Sequence, residues 1–289
     1  MLECVANVSE GRLDSAIDAL ADATGPALLD VHRDPDHNRS VFTIAGSPHE
    51  TLTAVRRLAG AIASTLDLTA HEGVHPRLGA LDVVPFVALG DTPHDSATEA
   101  ARAFAIWWAS AHRVPCFFYD DADAAGRDLP SVRRDAFAAR PPDLGPSEPH
   151  ERLGATAVGA RPVLVALNCM LDGGAVEDAR AIARAARERD GGMPGVRALG
   201  FWLESRDRPQ VSMNLVDLTR TGVERACARI EELARARGRR LREIELVGLI
   251  PAAELARCGP AVRAAASLDD GRTIEGLYAE AAPRRANAR

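Results

Sequence analysis

The sequence predicts an α/β (α+β) chain of two ferredoxin-like βαββαβ subdomains, with facing sheets and helices on the outer faces. Three observations predict it. Residues 2–87 read β-α-β-β-α-β with a further α-β after them, and residues 162–250 read β-α-β-β-α-β again. The helices in each half cover one face of a sheet, and the other face needs cover as well, which a second sheet would supply. In Gln210-Val211-Ser212-Met213-Asn214-Leu215, alternation puts Gln210, Ser212 and Asn214 on one face and three apolar side chains on the other. The apolar set belongs under helices, and the polar set faces either a cleft or solvent. The expected subdomains are 1–162 and 163–289, with the boundary near Arg161–Val163.

Each element has its own signal. Leu2 to Val8 is strand-like, and Ala16, Ile17 and Leu20 recur at helical spacing until Gly25-Pro26. Strands Ala27 to Val31 and Arg39 to Ala45 flank the polar turn Asp34-Pro35-Asp36-His37-Asn38. Pro48 opens a long helix whose stripe is Leu52, Val55, Leu58, Ala59, Ile62 and Leu66. Strand Leu81 to Val87 follows, then a helix over 95–112 with Phe104, Trp107 and Trp108 as core, then strand Val114 to Tyr119. Residues 120–149 collect Pro and Arg and read as an extended loop. In the second half, strand Pro162 to Met170, helix Val176 to Arg189 and strands Val196 to Glu204 and Gln210 to Asp217 come in order. Thr221-x-x-Glu224 reads as a capping box and Gly238 as the far cap of the helix between them. Leu241 to Ile250 is the last strand, and the tail beyond about Asp270 is expected to fray.

Composition narrows the chemistry. All 35 basic residues are arginine, so no Schiff-base lysine or P-loop lysine is possible. An acidic ligand has to be held by arginine, backbone N–H groups or helix ends. The net charge of −6 argues against general nucleic-acid binding but not against a small anion. No run of 18 apolar residues and no leader pattern is present, which reads as a cytoplasmic chain without membrane contact. Five cysteines without C-x-x-C spacing read as buried free thiols.

The densest chemistry lies in His71-Glu72-Gly73-Val74-His75-Pro76-Arg77-Leu78-Gly79-Ala80-Leu81-Asp82-Val83. His71-Glu72-x-x-His75 matches a zinc-protease motif by letter. That chemistry needs both imidazoles on one helix face. Gly73 lies inside the motif, Pro76 pushes His75 out of helical geometry, and Leu78 stands where the larger zinc class wants Gly. The same loop, His-x-Gly-x-His-Pro-Arg-x-Gly-Ala-x-Asp-Val, resembles the signature loop of the glutamate formimidoyltransferases (formiminotransferases). Other stretches resemble that family in order and spacing: Glu3-Cys4-Val5-x-Asn7-x-Ser9-Glu10-Gly11-Arg12, Asn38-Arg39-Ser40-Val41, Gly145-Pro146-Ser147, Gly154-Ala155-Thr156, Gly159-Ala160-Arg161, Gln210-Val211-Ser212-x-Asn214-Leu215, and Leu246-Val247-Gly248-Leu249-x-Pro251.

The resemblance implies two formiminotransferase subdomains with folate bound between their sheets, and a homodimer active in one-carbon metabolism and histidine catabolism. It implies transfer of a formimidoyl group between N-formimidoyl-glutamate and tetrahydrofolate, the co-substrate. In that reaction an amine attacks the amidine carbon, so one nitrogen loses a proton and another gains one. A group titrating near neutrality suits both steps, and His75 aligns with the family's catalytic histidine. Arg77 and Arg39 are candidates for the substrate carboxylates. Asp82 is a candidate for orienting His75, holding a cationic amidine, or capping a turn. Asn38, Gly145, Pro146, Ser147, Gly154, Gln210, Ser212 and Asn214 complete the set implied for substrate and folate. No metal is expected. Departures from the family are the loop middle Glu148-Pro149-His150-Glu151-Arg152-Leu153, His32 in place of a usual acid, and Ala6 and Asp120 in place of a usual Pro and Gly. Two other readings stay open: a binding module without catalysis, in which His75 and Arg77 are ligand contacts, and a zinc hydrolase.

Overall fold

The computed structural model describes residues 1–71 and 77–286, and its elements and contacts are those of the described residues. The chain divides into two compact units: Met1–Arg161 with the residues from Ala281 onward, and Pro162–Glu280. The sequence pattern runs the second unit on to residue 289, whereas the stretch from Ala281 counts with the first.

The first unit contains β1 (Leu2–Val8), α1 (Asp14–Thr24), β2 (Leu28–Asp34), β3 (Arg39–Gly46), α2 (Pro48–Thr65), β4 (Leu81–Ala88), α3 (Asp95–His112), β5 (Cys116–Asp120), α4 (Leu129–Asp135) and β6 (Thr156–Ala160). Its sheet has the order β2-β3-β1-β4-β6-β5. The first four strands are the expected ferredoxin-like set, and β6 and β5 extend it in parallel from β4. Leu2, Cys4, Ala6 and Val8 point to one face, where they pack with Ile17, Leu20, Leu58, Ile62, Phe104 and Trp108. Buried Trp108 donates its Nε1–H to Thr156 Oγ1 (3.0 Å), and that hydroxyl donates to Leu81 O (2.8 Å), so α3, β6 and β4 are tied together. The expectation of core tryptophan therefore holds for Trp108.

Two elements depart from the sequence pattern. Strand β6 is small and buried throughout, Thr-Ala-Val-Gly-Ala, so it lacks both alternation and the bulky residues that mark strands. Helix α4 forms inside the stretch read as loop. Pro130 sits in its first turn, where no backbone N–H is needed, and the Asp128 carboxylate accepts from Ser131 N (3.1 Å). Val132 of α4 joins Val83, Phe117, Tyr119 and Ala157 in a second, smaller core. At α2, Ser47 and Glu50 close a reciprocal capping box around Pro48.

The second unit contains β7 (Val165–Leu171), α5 (Val176–Ala186), β8 (Val196–Leu203), β9 (Arg208–Leu215), α6 (Val223–Arg235) and β10 (Leu241–Val247), followed by α7 (Ala252–Ala256), α8 (Pro260–Ala265) and α9 (Ile274–Glu280). Its four strands run β10-β7-β9-β8, each antiparallel to its neighbour, which is the expected βαββαβ sheet. Helix α5 lies flat on β8: a Cβ on Gly200 would stand 2.3 Å from Arg180 N. The Thr221/Glu224 capping box is not there. Glu224 accepts from Gly259 N (2.8 Å), and the start of α6 is capped by Glu254 of α7, whose Oε1 accepts from Val223 N (2.7 Å). Gly238 does take the left-handed conformation expected after that helix (φ +70°). The tail expected to fray instead forms α9 and, in the first unit, α10 (Ala282–Ala286). All five cysteines are buried free thiols. No described helix is long and apolar enough to cross a membrane.

Candidate functional site

Three of the motifs read from the sequence meet at one end of the first sheet. The chain leaving β1 supplies Ser9, Glu10 and Gly11, the chain entering β3 supplies Asn38 to Ser40, and the chain entering β4 supplies Leu78 to Asp82. Ser9 donates its backbone N–H to Ala80 O and its hydroxyl to Gly79 O, both at 2.8 Å. Gly11 N donates to Asn38 Oδ1 (2.9 Å) and Ser40 Oγ to Glu10 O (2.6 Å). Asn38 is buried in the left-handed region (φ +48°), which asparagine tolerates, and its side-chain oxygen serves that turn. A Cβ on Gly11 would meet Asp34 O at 2.3 Å, so only glycine lets the two chains approach this closely.

Charges gather beside this crossing. Arg39 is held down from its ordinary pKa by burial, against the pull of Asp34 and Asp82 and with the push of Arg133. Asp82 is 2% exposed. Its Oδ1 accepts from Leu78 N (2.6 Å) and from Arg133 Nη1 (3.3 Å), while Oδ2 faces Arg133 Nη2. Asp34 holds His37 by its ring Nδ1 (2.5 Å) and its backbone N–H (2.9 Å). Burial acts to raise the Asp34 carboxyl, but the contacts with His37 outweigh it and bring it to about 2.

Arg77 lies against His71, its Nη1 donating to the ring Nδ1. A ring that accepts at Nδ1 is neutral and carries its proton on Nε2. Burial first, and then the Arg77 charge, lower the His71 pKa. His71 itself is extended (φ −91°, ψ 124°), not helical. His75 and Glu72 lie outside the described residues.

Of the remaining sequence-predicted residues, Gly154 joins this crossing and the others fall elsewhere. Gly154 pairs with Gly79 in an antiparallel bridge, and a Cβ on Gly79 would stand 2.1 Å from Ala155 O, so this glycine pair locks the exit of the signature loop against the chain entering β6. Gly145 (φ +89°) packs on Val114 and Pro115. Gln210, Ser212 and Asn214 belong to the second unit. There Val211, Met213 and Leu215 enter the core as expected, and Gln210 is buried on the opposite face with Oε1 unpaired among the described residues. Arg133 is a member of the charge cluster that sequence reasoning missed, and Asp34 and His37 were read only as part of a polar turn. Arg133 meets Asp82 across 51 positions of chain, from a stretch read as loop.

The motif order of a known family therefore coincides with spatial meeting points. A family model described as the N-terminal subdomain of the formiminotransferase domain matches residues 1–161, and one for the formiminotransferase domain matches residues 166–262. The chain belongs to the formiminotransferase family. It is 35% identical over 270 residues to a glutamate formimidoyltransferase of Streptococcus pyogenes serotype M1, covering 88% of this chain and 90% of that one. It is 34% identical over 301 residues to a glutamate formimidoyltransferase of Thermoplasma acidophilum, covering 98% of each. It is also 36% identical over 276 residues to the formimidoyltransferase-cyclodeaminase of Sus scrofa, covering 87% of this chain and 50% of that longer protein.

Within the family frame, two departures acquire local physical accounts. Asp120, in place of a usual glycine, has φ +48°, a conformation aspartate tolerates better than most residues. In the divergent 148–153 stretch, His150 Nδ1 accepts from Arg152 N and Leu153 N (both 3.2 Å), while Arg152 reaches Asp67 (3.2 Å) and Leu66 O (3.1 Å). That stretch is a self-bonded turn tied to the chain after α2.

Proposed function

We propose that this protein transfers a formimidoyl group between N-formimidoyl-glutamate and tetrahydrofolate, with tetrahydrofolate as co-substrate. The observation that carries the reading is whole-length membership of the formiminotransferase family, including two relatives named glutamate formimidoyltransferase that the chain spans almost end to end. In this reading His75 moves the proton between the attacking and leaving nitrogens. Arg77 and Arg39 receive carboxylates, since a chain without lysine has only guanidinium to form such paired bonds. Asn38 and Gly154 shape the crossing beside them. Gly145, Pro146, Ser147, Gln210, Ser212 and Asn214 contribute to folate binding. The active form is a cytoplasmic homodimer.

The test is direct. Purified protein is supplied with N-formimidoyl-glutamate and tetrahydrofolate, and free glutamate and 5-formimidoyl-tetrahydrofolate are measured together. Equal formation of the two supports the proposal. Absence of both products, from protein that melts cooperatively and binds tetrahydrofolate, would favour the binding-module reading. Zinc bound one to one and lost together with activity on chelation would favour the hydrolase. Light scattering at a monomer mass would remove the dimer.

A further inference from the structure

We propose that Arg133 is a positioning residue for the transfer site: through Asp82 it fixes Leu78, and with Leu78 the neighbouring Arg77. The functional consequence rests on the transferase reading, while the structural one stands without it.

Asp82 is buried and must be compensated, because an ionised carboxylate away from water is costly unless paired and hydrogen-bonded. Its two oxygens meet both Nη atoms of Arg133, and Oδ1 also accepts from Leu78 N at 2.6 Å. The carboxylate thus has two tasks, one on each side: α4 holds it from one direction, and it holds the exit of the signature loop in the other. Helix α4 is a firm base for this. Val132, the residue before Arg133, is 1% exposed in the smaller core, and Asp128 caps the first turn. Arg133 is itself mostly buried, with its side chain 19% exposed.

Removal of Arg133 has a defined effect. The carboxylate then loses its fork and turns toward the buried cation Arg39, which already feels it. This loosens Leu78 and occupies a guanidinium that the reaction needs. Arg133→Ala should therefore act on substrate affinity and on turnover together. A misplacement of about 1 Å in a positioned group costs on the order of 10²-fold in rate.

The experiment combines kinetics with amide hydrogen exchange at Leu78. Arg133→Ala is expected to lower kcat/KM for N-formimidoyl-glutamate by about 10²-fold, and to speed Leu78 exchange while β1 and β3 amides stay protected. Arg133→Lys is expected to restore slow Leu78 exchange and only part of kcat/KM, since it keeps the charge but loses the fork. In an Asp82→Asn background, a further Arg133→Ala change should add little to either readout. This pair of variants carries the test if Arg133→Ala alone does not fold. Wild-type exchange at Leu78 in folded Arg133→Ala would overturn the proposal, as would full additivity with Asp82→Asn. If the wild-type protein shows no transferase activity, the functional reading fails, and the exchange data alone decide the role of Arg133.

Discussion

Arg77 against His71 sets the protonation of one ring and the aim of one cation. Because burial and Arg77 both lower the His71 pKa, the ring is neutral at pH 7 and resists protonation as the pH falls. Arg77→Ala should raise that pKa, measurable by NMR titration, and weaken binding of the glutamate-derived substrate by about 1.5–3 kcal/mol, measurable by calorimetry. His75→Ala should lose roughly 10²–10⁴ in turnover, the worth of a positioned acid–base group, with melting temperature and folate affinity nearly unchanged. His71→Ala should lose far less. Asp34 makes a pH prediction. Its folded pKa of about 2 lies below the usual carboxylate value, so its stabilising effect is complete above the unfolded pKa and is lost as the pH falls through about 2. Chemical unfolding between pH 5 and 2 should show this limb, roughly 1–2 kcal/mol after allowance for partial exposure, and His37→Ala should remove it. At this scale Asn38, Arg39, Arg77 and Asp82 were named as candidates because they sit in compact motifs. Arg133 was not, because a pair formed across 51 positions leaves no local signal.

Single elements show where alternation and helical spacing suffice and where they fail. Strand β9 was readable because one face is core and the other polar. Strand β6 was not, because it is buried throughout and its small residues erase the period. Helix α4 was hidden because it is short and lies in a stretch where Pro and Arg accumulate, although Pro130 suits its first turn. Where a cap comes from across the fold, local motif reading also fails. Glu254→Gln should weaken the cap on Val223 and release Arg257, which pairs with Glu254 at 2.8 Å, at a cost of about 1–2 kcal/mol in chemical unfolding. Thr221→Ala should cost less than Glu254→Gln, because the Thr221 hydroxyl has no hydrogen-bond partner among the described residues. Gly79→Ala is the more severe change. A Cβ 2.1 Å from Ala155 O forces backbone to move, and a loss of about 3 kcal/mol or more is expected, with the bridge to Gly154 exchanging faster.

For the molecule as a whole, the repeated βαββαβ order was visible from pattern alone, whereas the return of the C-terminus to the first unit was not. Ala281 is fully buried, and Arg285 is buried where a cavity of about 300 Å³ is lined by Thr24, His49, Thr53 and Arg57. Deleting residues 281–289 should lower protection at the end of α1 and the start of α2 while leaving the exchange of β7–β10 unchanged. The same return makes the second unit an insertion within the first. On the ribosome, the residues that finish the first unit are therefore made after the whole of the second. Until they emerge, the older half of the nascent chain waits for a part that the younger half separates from it in time.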